Sequence, residues 1–306
     1  MINRWKQLWM KDYKSHKYLY LMLLPLLIYY IVFHYVPLYG ATIAFKRFEV
    51  GSGLWDSPWV GFQYFYDFFQ SYYFWRLMKN TLLLNVYQLL FAFPAPILFA
   101  LLINEIAGQR LKRIVQTVTY LPHFVSIIVV CGMIHQFLAR DGVLTDILVW
   151  LGMERTAFLG QADYFRTIFV SSDIWQHIGW GSIIYLASIS SINPELYEAA
   201  RMDGANRFKQ IRHVTIPGIM PIIIILFILK MGQMMDVGFE KVILLYNPNT
   251  YVTADVINSF VYRRGLGSSF EFSYTTAIGL FQSLLNFALL VMANWFSRKV
   301  NETSLW

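Results

Sequence analysis

Charged residues are scarce in this chain of 306 residues, at 14% of the total, whereas hydrophobic residues make up 57%. Soluble domains carry about 25% charged residues, so this composition excludes an ordinary soluble protein. The net charge of +7 is compatible with nucleic-acid binding, but the basic residues mostly flank apolar runs instead of forming one patch. The composition therefore predicts a protein embedded in lipid, with no nucleic-acid partner.

Cysteine and the usual catalytic motifs are almost absent as well. The single cysteine, Cys131, lies in an apolar run, can form no disulfide within the chain and is predicted to be a small packing residue. The chain has no Gly-x-x-x-x-Gly-Lys-Ser/Thr phosphate loop, and no Gly-Lys pair occurs in it. His and carboxylate residues do not cluster at metal-ligand or catalytic spacing. The sequence thus predicts no catalytic residue, no metal and no cofactor bound by this chain, which is not expected to be an enzyme.

Long apolar runs, in contrast, are abundant. A transmembrane helix needs about 20 apolar residues. Six runs approach or exceed that length: 18–39, 81–103, 115–137, 167–189, 217–235 and 276–296. The first run is too long for a signal-peptide core and has no convincing cleavage site, so it is predicted to remain as a helix. The predicted fold class is all-α, a polytopic membrane protein with six transmembrane helices.

The distribution of Lys and Arg predicts the orientation of these spans. With six spans, both termini lie on one side, together with the 104–114 and 190–216 loops. These four segments carry 14 of the 25 Lys and Arg residues. The longer loops of the other side carry 10, and Lys230 lies within a span. Both termini and the 190–216 loop are therefore predicted to be cytoplasmic, in a multi-pass protein of the bacterial cytoplasmic membrane.

The 190–216 loop begins with the signals of a short capped helix. Asn193 is a predicted N-cap, and Pro194 occupies the first helical position. A helix is therefore expected over residues 195–202. Gly204 follows at the position where a residue with positive φ commonly ends a helix.

A second short helix is predicted directly after this turn. Asn206 can cap it, and it is expected to cover residues 207–213. Pro217 is then predicted to open the fifth span, because proline is favoured in the first turn of a helix. The loop would form a helix–turn–helix elbow on the membrane surface.

The elbow also contains a long, ordered pattern: Glu198-Ala199-Ala200, three residues, Gly204, nine residues, then Val214-Thr215-Ile216-Pro217. It resembles the cytoplasmic coupling loop of permease subunits of type I ABC importers, the binding-protein-dependent transport family. Val214 and Ile216 are conservative departures from the family's Ile and Leu. The resemblance assigns ATPase coupling to Glu195, Glu198, Ala199, Ala200, Asp203, Gly204 and Pro217. The simpler interpretation is an amphipathic surface helix that links two spans.

The resemblance extends over most of the chain. It covers residues 74–296, and the full length is similar to the carbohydrate branch, in particular to oligosaccharide and aldouronate-type permeases. The implied organisation is a cytoplasmic tail (1–17), an extra N-terminal transmembrane helix (18–39), an external aromatic loop (40–73), the permease domain (74–296) and a cytoplasmic tail (297–306). The resemblance thus implies import of an oligosaccharide, with a uronate-containing sugar as one option.

The resemblance also implies partners. A second permease subunit, expected to be a different chain, would complete the path in the lipid. Two cytoplasmic ABC ATPase subunits would bind ATP and Mg and receive the coupling loops, and an external solute-binding protein would deliver the carbohydrate. The alternative function is an ATP-independent secondary transporter or channel for a polar solute, which explains the spans but not the elbow. A membrane scaffold is a third class.

Polar residues recur at helical spacing within four of the spans. They are Asn85 and Gln88; Asp173, Gln176, His177 and Trp180; Lys230 and Gln233; and Gln282 and Asn286. Because polar groups in a membrane usually face protein or water, they are predicted to line a path for a polar solute. The alternative is that they hold the helices together.

Two of these residues carry opposite charges. Lys230 and Asp173 are predicted to lie at similar depth, since each is counted along a helix from its own end of the membrane. They could pair across the helices, or Lys230 could meet an anionic sugar such as a uronate. In a third interpretation, Lys230 extends outward from a helix end to the interface.

Overall fold

A computed structural model describes residues 2–49, 51, 53–267 and 269–301, with side chains from residue 16 to residue 299 outside the gaps. The side chains of most of the predicted amino-terminal tail, and residues 302–306 of the predicted carboxyl tail, lie outside this part. The described chain is built of helices and their connections, with one isolated β-bridge between Lys46 and Trp59. The helical fold class predicted from the sequence is confirmed.

The first span is a long helical segment that changes helix type three times. Helix α1 covers Ile2–Tyr30 with a kink at His16, a π-helical turn covers Ile31–Tyr35, α2 covers Val36–Leu38, and a 3₁₀ turn covers Tyr39–Phe45. Residues 21–39 are all exposed, as expected of a helix that faces lipid. The 3₁₀ turn packs on the last helix of the chain and so attaches this span to the bundle.

The second span is also continuous and includes a π turn. Helices α3 (Gly53–Asp56) and α4 (Gln63–Gln70) lie before it, and α5 (Phe74–Tyr87), a π turn (Gln88–Ala92) and α6 (Pro94–Asn104) form it. Pro94 has no N–H to donate and its ring would clash in a regular helix. The wider π turn just before it lets the helix pass the proline without a break.

The predicted third span, 115–137, is wrong as one continuous helix. Helix α7 (Gln109–Tyr120) runs through a 3₁₀ turn (Leu121–Phe124) and then meets α8 (Ile127–Phe137) at a bend of 101°. Pro122 disrupts regular helix here, and Ser126 starts the new one because its Oγ accepts from the N–H of Val129 at 3.4 Å.

Helix α10 packs at the centre of the fold. It follows α9 (Val143–Trp150) and a 3₁₀ turn (Phe158–Gly160), and it covers Ala162–Ser190. Gly179 and Gly181 let it approach its neighbours, since a Cβ at Gly179 would clash with the carbonyl of Thr119 in α7, and one at Gly181 would press on Pro96 in α6. Small residues at such crossings are typical of helix packing in membranes.

The elbow and the fifth span come next. They comprise α11 (Pro194–Met202), α12 (Arg207–Gln210), a π turn (Ile211–Thr215) and α13 (Ile216–Met231). The predicted separate helix over 207–213 is wrong, because residues Arg207–Met231 form one helix and Pro217 lies within it. As in the second span, a π turn just before the proline absorbs its missing hydrogen bond.

The fifth span ends four residues earlier than the predicted boundary at residue 235. Residues 232–238 are not helical, and α14 (Phe239–Leu245) then folds back into the bundle. A 3₁₀ turn (Pro248–Thr250), α15 (Tyr251–Ala254), α16 (Ile257–Tyr262) and a π turn (Arg263–Gly267) lead to α17 (Phe272–Asn301). Because α10 ends and α13 begins at the elbow, the 232–271 segment lies at the opposite end of the bundle, called here the far end.

Four helices within the described residues are long and apolar enough to cross a membrane, or five if the bent pair of α7 and α8 counts as one span. Helix α10 has 29 residues, roughly 43 Å at 1.5 Å per residue. Its polar residues lower its hydropathy below that of the other long helices. The count of six spans stays a prediction.

Candidate functional site

The first half of the elbow is fixed by local hydrogen bonds. Asn193 Oδ1 accepts from the N–H of Glu195 at 3.0 Å and caps α11. At the other end, Gly204 has φ +74°. The N–H of Ala205 donates to the carbonyl of Ala200 at 2.8 Å, and that of Gly204 donates to Arg201 at 3.0 Å. These two bonds form the Schellman arrangement that ends helices at a left-handed glycine, so the predicted turn is confirmed.

The second half of the elbow is braced against the fifth span. Asn206 Oδ1 accepts from the N–H of Lys209 at 2.9 Å and caps α12, as predicted. The Tyr197 hydroxyl lies 3.0 Å from Thr215 Oγ1, which ties α11 to the base of α13. Arg207 lies 3.3 Å from Glu105 at the end of α6. The elbow is therefore joined to the bundle from two sides.

The residues assigned to coupling present an accessible surface. Glu195, Glu198, Ala199, Asp203, Gly204 and Pro217 are exposed and Ala200 is half-buried. Two large apolar residues that the sequence analysis missed project beside them: Met202 is 88% exposed and Phe208 is 70% exposed. Their signal in the sequence was the presence of large apolar side chains in an otherwise charged segment. Such exposed apolar groups on a polar surface are typical of a protein interface.

The second candidate site is a cavity of about 530 Å³ towards the far end of the bundle. Six of the predicted path residues line it: Gln88, Asp173, Gln176, His177, Lys230 and Gln233. They come from three predicted spans. The polar spacing in the sequence thus identified side chains that the fold brings to one cavity.

Of the alternatives for Asp173 and Lys230, a direct ion pair between them is not found among the described residues. Asp173 forms an ion pair with Lys241, at 3.7 Å, and its carboxylate lies 3.2 Å from the ring of His177. Lys230 instead donates to the amide oxygen of Gln88 at 3.3 Å. The reason is that α14 folds back and places Lys241 beside α10, where the sequence analysis expected an external loop.

Lys241 is the main residue that the sequence analysis missed. It is only 5% exposed, and its amine donates to the carbonyl of Phe169 at 3.2 Å and lies 5.0 Å from that ring. Asp236 and Glu240 line the same cavity. A signal was present, since Glu240 and Lys241 interrupt an apolar run from 237 to 245.

The other predicted path residues on α5 and α10 contact the protein backbone or other rings. Asn85 is fully buried and donates to the carbonyl of Thr81 in its own helix at 3.0 Å. Trp180 stacks on His123 with ring centres 4.5 Å apart. Gln176, which also lines the cavity, donates to the carbonyl of Val125 at 3.3 Å. Trp180 and Gln176 therefore support the break in the third predicted span.

Gln282 and Asn286, on α17, hold the non-helical segment after α13. Gln282 Nε2 donates to the carbonyl of Met235 at 2.6 Å, and Asn286 Oδ1 accepts from the N–H of Met235 at 2.8 Å. Within a membrane, irregular backbone persists only where such partners or a cavity satisfy it. Both residues also line a neighbouring cavity of about 470 Å³, which shares Asp236 with the first. Within the described part of the chain, no group of three or more His, Cys, Asp or Glu residues could hold a metal ion.

Comparison with known proteins decides the family. Residues 92–302 match the family described as the inner membrane component of binding-protein-dependent transport systems. The chain belongs to this family. Its members are transport permeases, which confirms that the chain is a permease and not an enzyme. The resemblance on which the elbow was interpreted is thereby confirmed, whereas the roles of individual residues stay predictions.

Individual relatives match over nearly the whole chain. Protein LplB of Bacillus subtilis is 43% identical over 97% of this chain and 94% of its own length. YteP of the same organism, a polygalacturonan/rhamnogalacturonan transport system permease, is 41% identical over 95% of this chain and 91% of its own. In a crystal structure of a bacterial alginate ABC transporter with its alginate-bound periplasmic protein, a chain superposes with a TM-score of 0.89 at 44% identity, covering 96% of this permease and 99% of that chain.

Proposed function

We propose that this permease is one of two transmembrane subunits of an ATP-driven importer, and that it translocates a carbohydrate, an oligosaccharide that contains uronate. The relatives named above for polygalacturonan, rhamnogalacturonan and alginate support a carbohydrate substrate, and polygalacturonan and alginate are polymers of sugar acids. An external solute-binding protein would deliver the substrate, and a second, different permease would complete the path.

The elbow is the proposed contact with the ATPase. Each of two cytoplasmic ATPase subunits would receive one elbow in a surface groove, and ATP and Mg would be bound there and not on this permease. Closure of the ATPases would push the elbow as a rigid body, because its caps and its bonds to Thr215 and Glu105 join it to the bundle. The elbow and both termini would then lie in the cytoplasm and the far end outside.

The proposal of an acidic substrate rests on the different partners of the two lysines in the cavity. Lys241 is paired with Asp173. Lys230 is half-buried and donates to the neutral amide of Gln88. Asp173 and Asp236 act on its charge from a distance, but no ion pair of Lys230 is found among the described residues, so its ammonium can still bind a carboxylate in the cavity. A hydrogen bond between charged groups is stronger than one between neutral groups. A uronate would pair with the charge of Lys230, whereas a neutral sugar could only accept a hydrogen bond from it.

The test is transport by the reconstituted importer with binding proteins loaded with acidic or neutral oligosaccharides of equal length. Lys230→Met should leave assembly intact and lower transport of the acidic sugar about tenfold, with a small effect on the neutral one. Lys79→Met, on the exposed face of α5, is the matched control and should change neither rate.

Two other outcomes would contradict the proposal. If Lys230→Met slows both sugars equally, the lysine does not recognise the substrate's charge. If transport continues after the ATPase subunits are removed, the chain acts as an ATP-independent transporter instead. The two results concern different parts of the proposal and can be separated.

A further inference from the structure

A third concave site lies at the far end, away from the cavity of Asp173. It is a groove of about 400 Å³ formed by the linker after the first span, α4, the end of α16 and the start of α17. Its lining has no residue in common with the cavity of Asp173. Aromatic rings dominate it, among them Phe48, Tyr64, Phe260, Phe270, Phe272 and Tyr274.

Phe270 is held in an unusual position at the edge of this groove. Its φ is +49°, in the left-handed region that residues other than glycine and asparagine rarely adopt. Its side chain is 63% exposed. The loop around it is tied by an Arg264–Glu271 ion pair of 2.8 Å and by the N–H of Glu271, which donates to the carbonyl of Arg264 at 3.0 Å. Strained residues persist where their surroundings enforce them, and they concentrate at ligand sites.

The size and chemistry of the groove match a small-molecule site. Such sites measure about 300–1,000 Å³ and combine a mainly apolar, aromatic lining with a few polar groups. Here the charged groups are Asp67, Glu271 and Arg264, with Arg264 already paired with Glu271. The groove therefore offers no free cation to an anion, in contrast to Lys230 in the cavity.

A sugar ring has the matching surface. Its CH groups form an apolar face that stacks on aromatic rings, and its hydroxyl groups form a polar edge that carboxylates and hydroxyl groups can bind. Phe270 and Phe272 have ring centres 6.2 Å apart and provide adjoining aromatic surfaces. Tyr64 and Asp67, on α4, line the same groove.

We propose that this groove is a second saccharide-binding site, outside the translocation path, in which a pyranose ring stacks on Phe270 irrespective of whether the sugar is acidic or neutral. The site would hold part of the oligosaccharide at the far end, near the point of its delivery. It goes beyond the proposed function, which requires only the path.

The experiment uses the assembled importer in lipid nanodiscs, without ATP and without the solute-binding protein. A fluorophore on Ser269→Cys, an exposed residue next to Phe270, reports on the groove, because Cys131 is buried and the partner subunits are used in cysteine-free form. The probes are tetragalacturonate and the neutral cellotetraose. We expect both to give a saturable signal with similar Kd.

Variants then test the ring itself. Phe270→Asn keeps a residue that tolerates positive φ and removes the ring, so it should raise the Kd of both probes about fivefold or more. Phe270→Tyr keeps the ring and should retain binding. Tyr72→Ala, an exposed aromatic residue outside the groove, is the control and should have no effect.

Three results would overturn the proposal: no signal with either probe, equal binding by Phe270→Asn and the parent protein, or a signal abolished by Lys230→Met, which would assign it to the path. Because the assay contains neither ATP nor binding protein, these results do not bear on transport. A failure of the proposed function would appear instead in the transport assay with Lys230→Met.

Discussion

The elbow and the cavity of Asp173 differ in the sequence separation of the contacts that form them. In the elbow, each cap joins residues two or three positions apart, as between Asn193 and Glu195 or between Asn206 and Lys209. In the cavity, Asp173 meets Lys241 from a different helix, 68 positions along the chain. The elbow is encoded locally, whereas the cavity exists only once the bundle has packed.

This difference has a consequence for how each site responds to mutation. A change in the elbow alters a short exposed segment and leaves the bundle folded. A change in the cavity can leave a charge without a partner among buried helices, where the free-energy cost is far larger. Changes in the cavity are therefore expected to destabilise the protein more than changes on the elbow's surface.

The largest effect is expected for Asp173→Asn. It leaves Lys241, which is 5% exposed, without its counter-charge. Breaking a buried pair from one side costs about 3 kcal/mol or more. We expect lower yields of assembled permease and a clear drop in the Tm of the purified complex.

The double variant Asp173→Asn/Lys241→Met is the control for this prediction. It removes both charges, so it should recover most of the lost Tm, as replacements of whole buried ion pairs often do. If the double variant is as unstable as the sum of the two single changes, the pairing of Asp173 with Lys241 contributes nothing specific.

Gly204→Val should have the next largest effect. Nothing lies within 4 Å of a Cβ at this position, so the cost comes from the backbone at φ +74° alone. A left-handed residue with a branched side chain costs about 1–2 kcal/mol. The protein should insert normally and lose the ATPase stimulation caused by loaded binding protein.

Gly204→Asn is the matched control, because asparagine tolerates this conformation better than valine does. It should retain most of the stimulation. Full stimulation by a well-folded Gly204→Val complex would contradict the role of this turn in coupling.

The sequence predicts the elbow better than the cavity for the same physical reason. Capping and turn signals at Asn193, Gly204 and Asn206 depend on neighbours in sequence, and all three are confirmed. The continuation of the fifth span's helix through Pro217 was missed because a π turn can carry a helix past a proline, which no spacing rule indicates.

In the cavity, periodicity identified which residues face inward but not which of them pair. Lys241 could not be paired from the sequence, since its position depends on the end of α13 at Met231 and on the return of α14. The polar residues on α17 were predicted either to line a solute path or to hold the helices together. Gln282 and Asn286 do both kinds of work, since they bond the backbone of Met235 and also line a cavity. Periodicity alone cannot separate these two roles.

A smaller effect is expected for Asn193→Ala. It removes the N-cap of α11, which is the 3.0 Å hydrogen bond that Asn193 Oδ1 accepts from the N–H of Glu195. Loss of an N-cap costs about 1 kcal/mol. Hydrogen exchange should become faster in the amides of α11, while those of α10 stay protected; Asn193→Asp should restore the slow exchange.

The smallest effect on folding, and the sharpest test of the elbow as an interface, is expected for Glu198. Its side chain is exposed, so neither Glu198→Gln nor Glu198→Lys should change the Tm by more than the error of measurement. If it meets a basic groove on an ATPase subunit, however, Glu198→Gln loses an attraction, whereas Glu198→Lys adds a repulsion. ATPase stimulation should then fall in the order parent, Gln, Lys, with a difference between the variants that shrinks at high salt because screening weakens both effects. Equal stimulation in all three proteins would mean that Glu198 is only a solvated residue and that the elbow binds through its apolar side chains, Met202 and Phe208.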